Sequence, residues 1–262
     1  MSCPPDVAVT AEPRSWALET LIAAGCPDAP GDAQLLAAEA DDAEGLRVAV
    51  LRRAAREPLG YVRGRTEFRG LDITVDPRVF IPRPETELLV EAALELPEGA
   101  RVLEACTGSG AVALALKNER PDLGVTASDR SAGALAVAHA NAERLGIEVM
   151  FVEADGIAAA PGGPWDAVVA NPPYVAEDEA GTGSLPAEIE CHEPPEAFWA
   201  GHDGLAVVRR FVAELSGVDR VAFEVGDGQA AAVGEMLRAV GFGSIDTLHT
   251  AAGHARIFSA QR

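Results

Sequence analysis

Asn171-Pro172-Pro173-Tyr174 is the segment whose residue types most directly suggest chemistry. It closes the apolar run WDAVVA, and its two prolines fix φ and donate no N–H, leaving carbonyl oxygens stiffly presented. The Asn171 side-chain oxygen and the Pro172 carbonyl make two acceptors that can hold both hydrogens of a planar NH2 group. Holding both aims the nitrogen lone pair at an incoming electrophile. Tyr174 supplies a ring that can pack on such a group. The bland alternative is a proline-rich loop.

A second set lies upstream. The run RVLEA leads into Glu104-Ala105-Cys106-Thr107-Gly108-Ser109-Gly110 and then a helical pattern. Small residues there let the backbone approach a ligand, and a helix start offers N–H groups. Asp129 closes the next apolar run about 20 residues later, the spacing at which a carboxylate can accept from both hydroxyls of a ribose. Its alternative role is to cap the following helix. The two features together imply a nucleoside-containing cofactor, and the Asn-Pro-Pro-Tyr segment favours S-adenosylmethionine over a dinucleotide.

Positioning these residues requires strands that end where they stand. RVLEA, GVTASD, EVMFVEAD and WDAVVAN are short apolar runs closing on polar residues, and AVALALKNER and AGALAVAHANAERLG read as helices between the first three. RVAFEVG, SIDTLHT and HARIFSA follow, the last two too close for an intervening helix. The expectation is an α/β, Rossmann-like, doubly wound mixed sheet ending in an antiparallel hairpin. Ligands then bind beyond the carboxyl ends of the strands, where Glu104, Asp129, Asp155 and Asn171 gather. Residues 1–57 read as a small helical domain, 58–84 as a β-hairpin linker with its turn at Arg69-Gly70, and 85–262 as the catalytic domain. Within the helical part, Trp16, Leu18, Leu21 and Ile22 fall on one side, and Asp32 reads as an N-cap.

Acidic residues outnumber Lys plus Arg by 41 to 21, a net charge of −20 that repels phosphate backbones and disfavours nucleic acid as a partner. No uncharged run reaches the roughly 18 residues of a membrane span. The start MSCPPDVAVTAEPR lacks a basic region followed by an apolar one, so a cytoplasmic protein is expected. Cys3, Cys26, Cys106 and Cys191 form no CxxC pair and read as free thiols. Cys191-His192 read as neighbours in an extended loop, His202, His249 and His254 show no metal spacing, and His139 reads as a packing or surface residue. No metal is expected.

The chain resembles the HemK/PrmC-type protein-(glutamine-N5) methyltransferases. The resemblance is carried from about Glu57 onward by EPLGYVRGRTEFRGLDITVDPRVFIPRPETE, VLEACTGSGAVALAL, TASDRSAGALAVAHANAERLG, VVANPPYV, EPPEAFWAGHDGLAVVRR, FEVGDGQAAAV and AGHARIF. It implies a class I S-adenosylmethionine-dependent methyltransferase fold. The implied reaction methylates the side-chain amide nitrogen of the GGQ glutamine of a peptide-chain release factor, releasing S-adenosylhomocysteine. Glu104, Ala105, Cys106, Thr107, Gly108 and Gly110 would lie along the methionine part of the cofactor and Asp129 on its ribose. Asp155 and Gly156 would lie near the adenine. Asn171, Pro172, Pro173 and Tyr174 would hold the glutamine amide, and Arg83, Glu85 and Glu87 would help to close the site, or else simply start a helix.

The chain departs from the family in having Cys106 for a usual glycine and Gly156 for a frequent aromatic residue, with Ile157 as a substitute surface. Its N-terminal helical part is also shorter. The alternatives are another protein glutamine, an adenine amine, or a non-catalytic cofactor-binding paralogue. The oligomeric state stays open.

Overall fold

The structure, a computed structural model, describes residues 13–250 and 253–262. Cys3 and most of the MSCPPDVAVTAEPR start lie outside the described residues. The chain divides into two compact units, one taking in residues up to Gly64 together with Ala187–His192, the other Arg65–Pro186 with Glu193–Arg262.

In the first unit, the helices Pro13–Ala23, Ala29–Glu39 and Ala43–Ala54 surround Ala17, Leu21, Leu36, Leu46 and Val50. The inner line of the first helix is Ala17 and Leu21, one turn apart. Trp16 and Leu18 are half-buried, and Ile22, expected on the same side, is 60% exposed. The cap expected of Asp32 belongs to Asp28, whose Oδ1 accepts from Gly31 N at 3.1 Å. With the helix starting at Ala29, Asp32 falls inside it and is buried, accepting from Arg53 Nε at 2.7 Å. The one-turn helix Leu59–Arg63 precedes the hairpin and packs Leu59 and Val62 on this core. Cys191-His192 end the helix Ala187–His192 rather than lying in an extended loop.

Glu188 of that helix accepts from Arg53 Nη1 at 3.0 Å and from Arg56 Nη2 at 2.7 Å. Burial alone would raise its pKa, but the hydrogen bonds from Arg56 and Arg53 outweigh burial and hold it at about 2.

The second unit opens with a hairpin, β1 (Arg65–Phe68) against β2 (Leu71–Thr74). Its turn is at Arg69-Gly70 with φ of 47° and 73°, the positive pair that suits the twist of a two-residue hairpin loop. Next come β3 (Arg101–Ala105), β4 (Gly124–Asp129), β5 (Met150–Glu153), β6 (Ala167–Ala170), β7 (Arg220–Glu224), β8 (Ser244–His249) and β9 (Ala255–Gln261). They form one sheet in the order β5-β4-β3-β6-β7-β9-β8. The first five in that order are parallel, whereas β9 runs antiparallel to both β7 and β8. Between β3 and β6 the direction of winding reverses, the switch point at which such sheets bind ligands.

Register brings the site together at that point. Ala105 pairs with Ala170 and Ala170 with Phe223, so Cys106, Asn171 and Glu224, the residues one step beyond, leave three neighbouring strands side by side. Below them Val168, Ala170, Val221 and Phe223 face the apolar cluster that includes Leu205, Val208, Phe211 and Phe258.

Candidate active site

The loop after β3 is held from beneath by Glu104. Only 2% exposed, this carboxyl accepts from Thr107 Oγ1 at 2.6 Å and from Ala113 N, in the first turn of the helix Ala111–Glu119, at 3.0 Å. Burial, only partly offset by those bonds, pushes its pKa up to about 8. Glu104 therefore fixes the path of residues 105–110. Asn141, which the sequence reading passed over, braces the same loop: its Nδ2 donates to the Ser109 and Thr74 carbonyls, each at 3.0 Å, and Thr74 N returns a bond to its Oδ1 at 2.8 Å.

Asp129, at the end of β4, accepts from Gly108 N and Ser131 N, one on each oxygen, both at 2.9 Å. A carboxylate has about four lone-pair sites. Two therefore remain for a pair of hydroxyl donors such as a ribose presents. The cap of the next helix is Ser131, which accepts from Ala134 N at 3.2 Å. A methyl group built on Gly108 would meet no described residue within 4 Å apart from its chain neighbours, so the loop borders open space beside Asp129. An acceptor-only carboxylate next to room for a ligand fits the ribose end of S-adenosylmethionine.

Cys106 takes φ of 61°, the conformation a glycine would occupy without strain. Burial and the neighbouring Asp129 push its thiol well above the ordinary range. Asp155 forms an ion pair with Arg210 at 2.7 Å, whose hydrogen bond lowers its pKa. One of its oxygens is thus already engaged. Gly156, at φ of 108°, lies where a Cβ would be 2.7 Å from Glu214 Oε2, the oxygen that accepts from Ile157 N and Ala158 N. A side chain larger than hydrogen would have to displace the Glu214 carboxylate from these two N–H groups, and Ile157 is buried.

On the other side of the switch point, Asn171 donates from Nδ2 to Thr86 Oγ1 at 3.2 Å, and Thr86 donates to Glu224 Oε2 at 2.7 Å. Tyr174 Oη donates to the second oxygen, Glu224 Oε1, at 3.1 Å. Neither Asn171 Oδ1 nor the Pro172 carbonyl takes a hydrogen bond from a described residue. Burial raises the Tyr174 phenol, reinforced by the Glu224 charge, and burial likewise raises Glu224. Tyr174 thus stays a neutral phenol. Its carbonyl accepts from Gln229 Nε2 at 2.8 Å, and Val175 exchanges bonds with Phe198 and Ala200 at 2.8 and 2.9 Å. Pro173 sits between these two anchored flanks.

Arg83 pairs with Glu193, stacks on Phe80 at 4.6 Å, and shares Glu193 with Ile81 N, which donates at 3.1 Å. Glu85 is exposed, and Glu87 accepts from Arg69 N at 3.1 Å. Like Asn141, the residues Thr86, Glu224, Gln229 and Arg210 were missed by sequence reasoning. Glu224 carried a usable signal, since it closes the apolar run RVAFE just as Glu104 closes RVLE. Among the described residues no three His, Cys, Asp or Glu side chains converge as metal ligands would, and His139 packs edge-on against Phe151.

Residues 82–188 match the family model of the methyltransferase small domain. The chain is 41% identical over 224 residues to a release factor glutamine methyltransferase of Moorella thermoacetica, covering 82% of this chain and 78% of that one. It is 39% identical over 221 residues to the enzyme of the same description from Gloeobacter violaceus, covering 80% and 77%. Among solved structures, the catalytic domain of hMettl16 in complex with MAT2A 3'UTR hairpin 1 superposes with a TM-score of 0.60 at 16% identity, covering 84% of this chain and 79% of that one, a likeness of fold.

Proposed function

The chain belongs to the release factor glutamine methyltransferases, and from that membership we propose that it methylates the GGQ glutamine of a peptide-chain release factor with S-adenosylmethionine as donor. The observation that carries the reading is the pair of unused acceptors, Asn171 Oδ1 and the Pro172 carbonyl, one strand away from the loop that borders Asp129.

An amide nitrogen is a poor nucleophile, so orientation must supply much of the rate. Asn171 and Pro172 would each accept a hydrogen bond from one amide hydrogen, fixing the plane of the NH2 so that the nitrogen lone pair, perpendicular to it, faces the methyl. As positive charge grows on that nitrogen, the same two oxygens stabilise it, an electrostatic contribution already in place before reaction. Bound S-adenosylmethionine would supply a methyl on a sulfonium, the amide nitrogen's pair forming the N–C bond as the C–S pair returns to sulfur, with the displaced amide proton passing to water. Asp129 would hold the ribose hydroxyls, and residues 105–110, fixed by Glu104, would line the methionine portion. Tyr174, anchored at both its hydroxyl and its carbonyl, would present its ring beside the amide.

The test uses isotopically labelled methyl donor with a release factor and with its GGQ glutamine-to-alanine variant. Label should enter the first and not the second. Equal labelling of both, or transfer to an adenine oligonucleotide instead, would contradict the reading.

A further inference from the structure

We propose that Thr86 and Glu224 are positioning residues that set which end of the Asn171 amide faces the substrate. The inference rests on the methyltransfer reading above and adds to it a one-way chain of hydrogen bonds.

An ionised carboxylate can only accept, and a threonine hydroxyl has a single hydrogen to give. In the ionised form of Glu224, which the Thr86 and Tyr174 hydroxyls and the Arg256 charge favour against burial, Oε2 lies 2.7 Å from Thr86 Oγ1 and takes that hydrogen. Toward Asn171 the Thr86 oxygen can then only accept. The atom of Asn171 that meets it, at 3.2 Å, must therefore be the NH2, and Oδ1 is left to receive a hydrogen from the substrate amide. Rotating the Asn171 amide by half a turn would set its carbonyl against the Thr86 lone pairs and show two donors to a substrate NH2, a repulsive match on both sides.

Glu224 is held for this task. It is 2% exposed, and its other oxygen is occupied by Tyr174 Oη, so one carboxylate organises both ends of the Asn-Pro-Pro-Tyr segment. The groups around it are Tyr174 from that segment, Arg256 from β9, and Thr86 and Glu85 from the turn before the helix Glu87–Leu94. Thr86 is itself only 3% exposed, and its γ-hydroxyl has no role in capping that helix. Protonating Glu224 would let it donate to Thr86, free the Thr86 hydrogen for Asn171, and remove the bias.

The experiment compares wild type, Thr86→Val, Thr86→Ser and Glu224→Gln in steady-state methyl transfer to a release factor, with S-adenosylmethionine affinity measured by calorimetry. Thr86→Val keeps shape but not the hydroxyl. Its kcat should fall about 100-fold, the scale of a misoriented reacting group, with cofactor affinity within about twofold of wild type. Thr86→Ser should restore most of that loss. The wild-type kcat should decline as pH falls through the Glu224 titration, and the decline should be absent from Glu224→Gln, whose kcat is low throughout.

A second readout needs no substrate. The Asn171 side-chain NH2 resonance, identified by its loss in Asn171→Ala, should move in Thr86→Val and stay in Thr86→Ser. A wild-type kcat in Thr86→Val, or an unmoved resonance there, overturns the proposal. If the wild type transfers no methyl to the release factor while the resonance behaves as stated, the substrate reading fails and the orienting chain stands.

Discussion

Cys106 holds a backbone conformation that costs an L-residue roughly 1–2 kcal/mol relative to right-handed geometry, at φ of 61° in the loop that borders the candidate cofactor site. Its thiol packs against the apolar cluster beneath the sheet and is driven to the protonated form by burial. At pH 8 the exposed Cys191 should therefore be alkylated by iodoacetamide long before Cys106, as read by peptide mass spectrometry of a timed reaction. Equal rates would place Cys106 in a different environment. At this scale the sequence was legible where a residue announces itself by position. Glu104, Asp129 and Asn171 each end an apolar run, and that pattern alone identifies a strand mouth. Thr86 has no such signal. Its role depends on contacts with residues 85 and 138 positions further along the chain, and in sequence it is one letter of a helix start. Asp155 shows the opposite case: the sequence leaves its carboxylate free, and the fold supplies Arg210 from 55 residues away.

Gly204, in the segment Gly201–Leu205, lies against the Tyr174 end of the Asn-Pro-Pro-Tyr loop. Gly204, at φ of 71°, has no room for a Cβ, which would collide with the Tyr174 carbonyl oxygen and crowd Gln229. Gly204→Ala should displace Tyr174 and lower kcat at least tenfold, with a loss of stability of about 1–3 kcal/mol from the strained backbone. Kinetics and denaturant unfolding read both, and unchanged values would separate this segment from the site. Among elements, the parallel crossovers and the terminal antiparallel hairpin could be read from strand–helix alternation and from the short gap between β8 and β9, whereas the order of the strands across the sheet comes from the fold. Less legible were ends decided by a local contest. The sequence points to Asp32 as a cap, but the helix starts at Ala29, Asp28 caps it, and Asp32 falls inside it against the buried Arg53. Leu59–Arg63 carries too little pattern to show as a helix and forms because Leu59 and Val62 have a core to cover.

Over the whole molecule, 41 acidic side chains against 21 Lys plus Arg leave the net charge at −20. Binding of adenine oligonucleotides should accordingly be undetectable by fluorescence anisotropy at near-physiological salt, since few counterions could be released. The helical unit should also respond to acid. The folded pKa of Glu188 lies near 2, below its ordinary value, so its contribution to stability is present above about pH 4.5 and is lost as pH falls toward 2. Removing that carboxylate takes its partner from Arg56 and leaves the buried Arg53 with Asp32 as its remaining carboxylate, and Glu188→Ala should lower stability near neutral pH by about 2 kcal/mol in denaturant unfolding. The difference from wild type should shrink at acid pH, and a pH-independent difference would argue against the ion pairs.

The most direct test of the central claim is peptide mass spectrometry of a release factor incubated with S-adenosylmethionine and either the wild-type protein or Asn171→Ala. The account predicts one added methyl on the GGQ glutamine with the wild type and none with the variant, whose cofactor affinity is retained. An added methyl of equal yield with Asn171→Ala would contradict it.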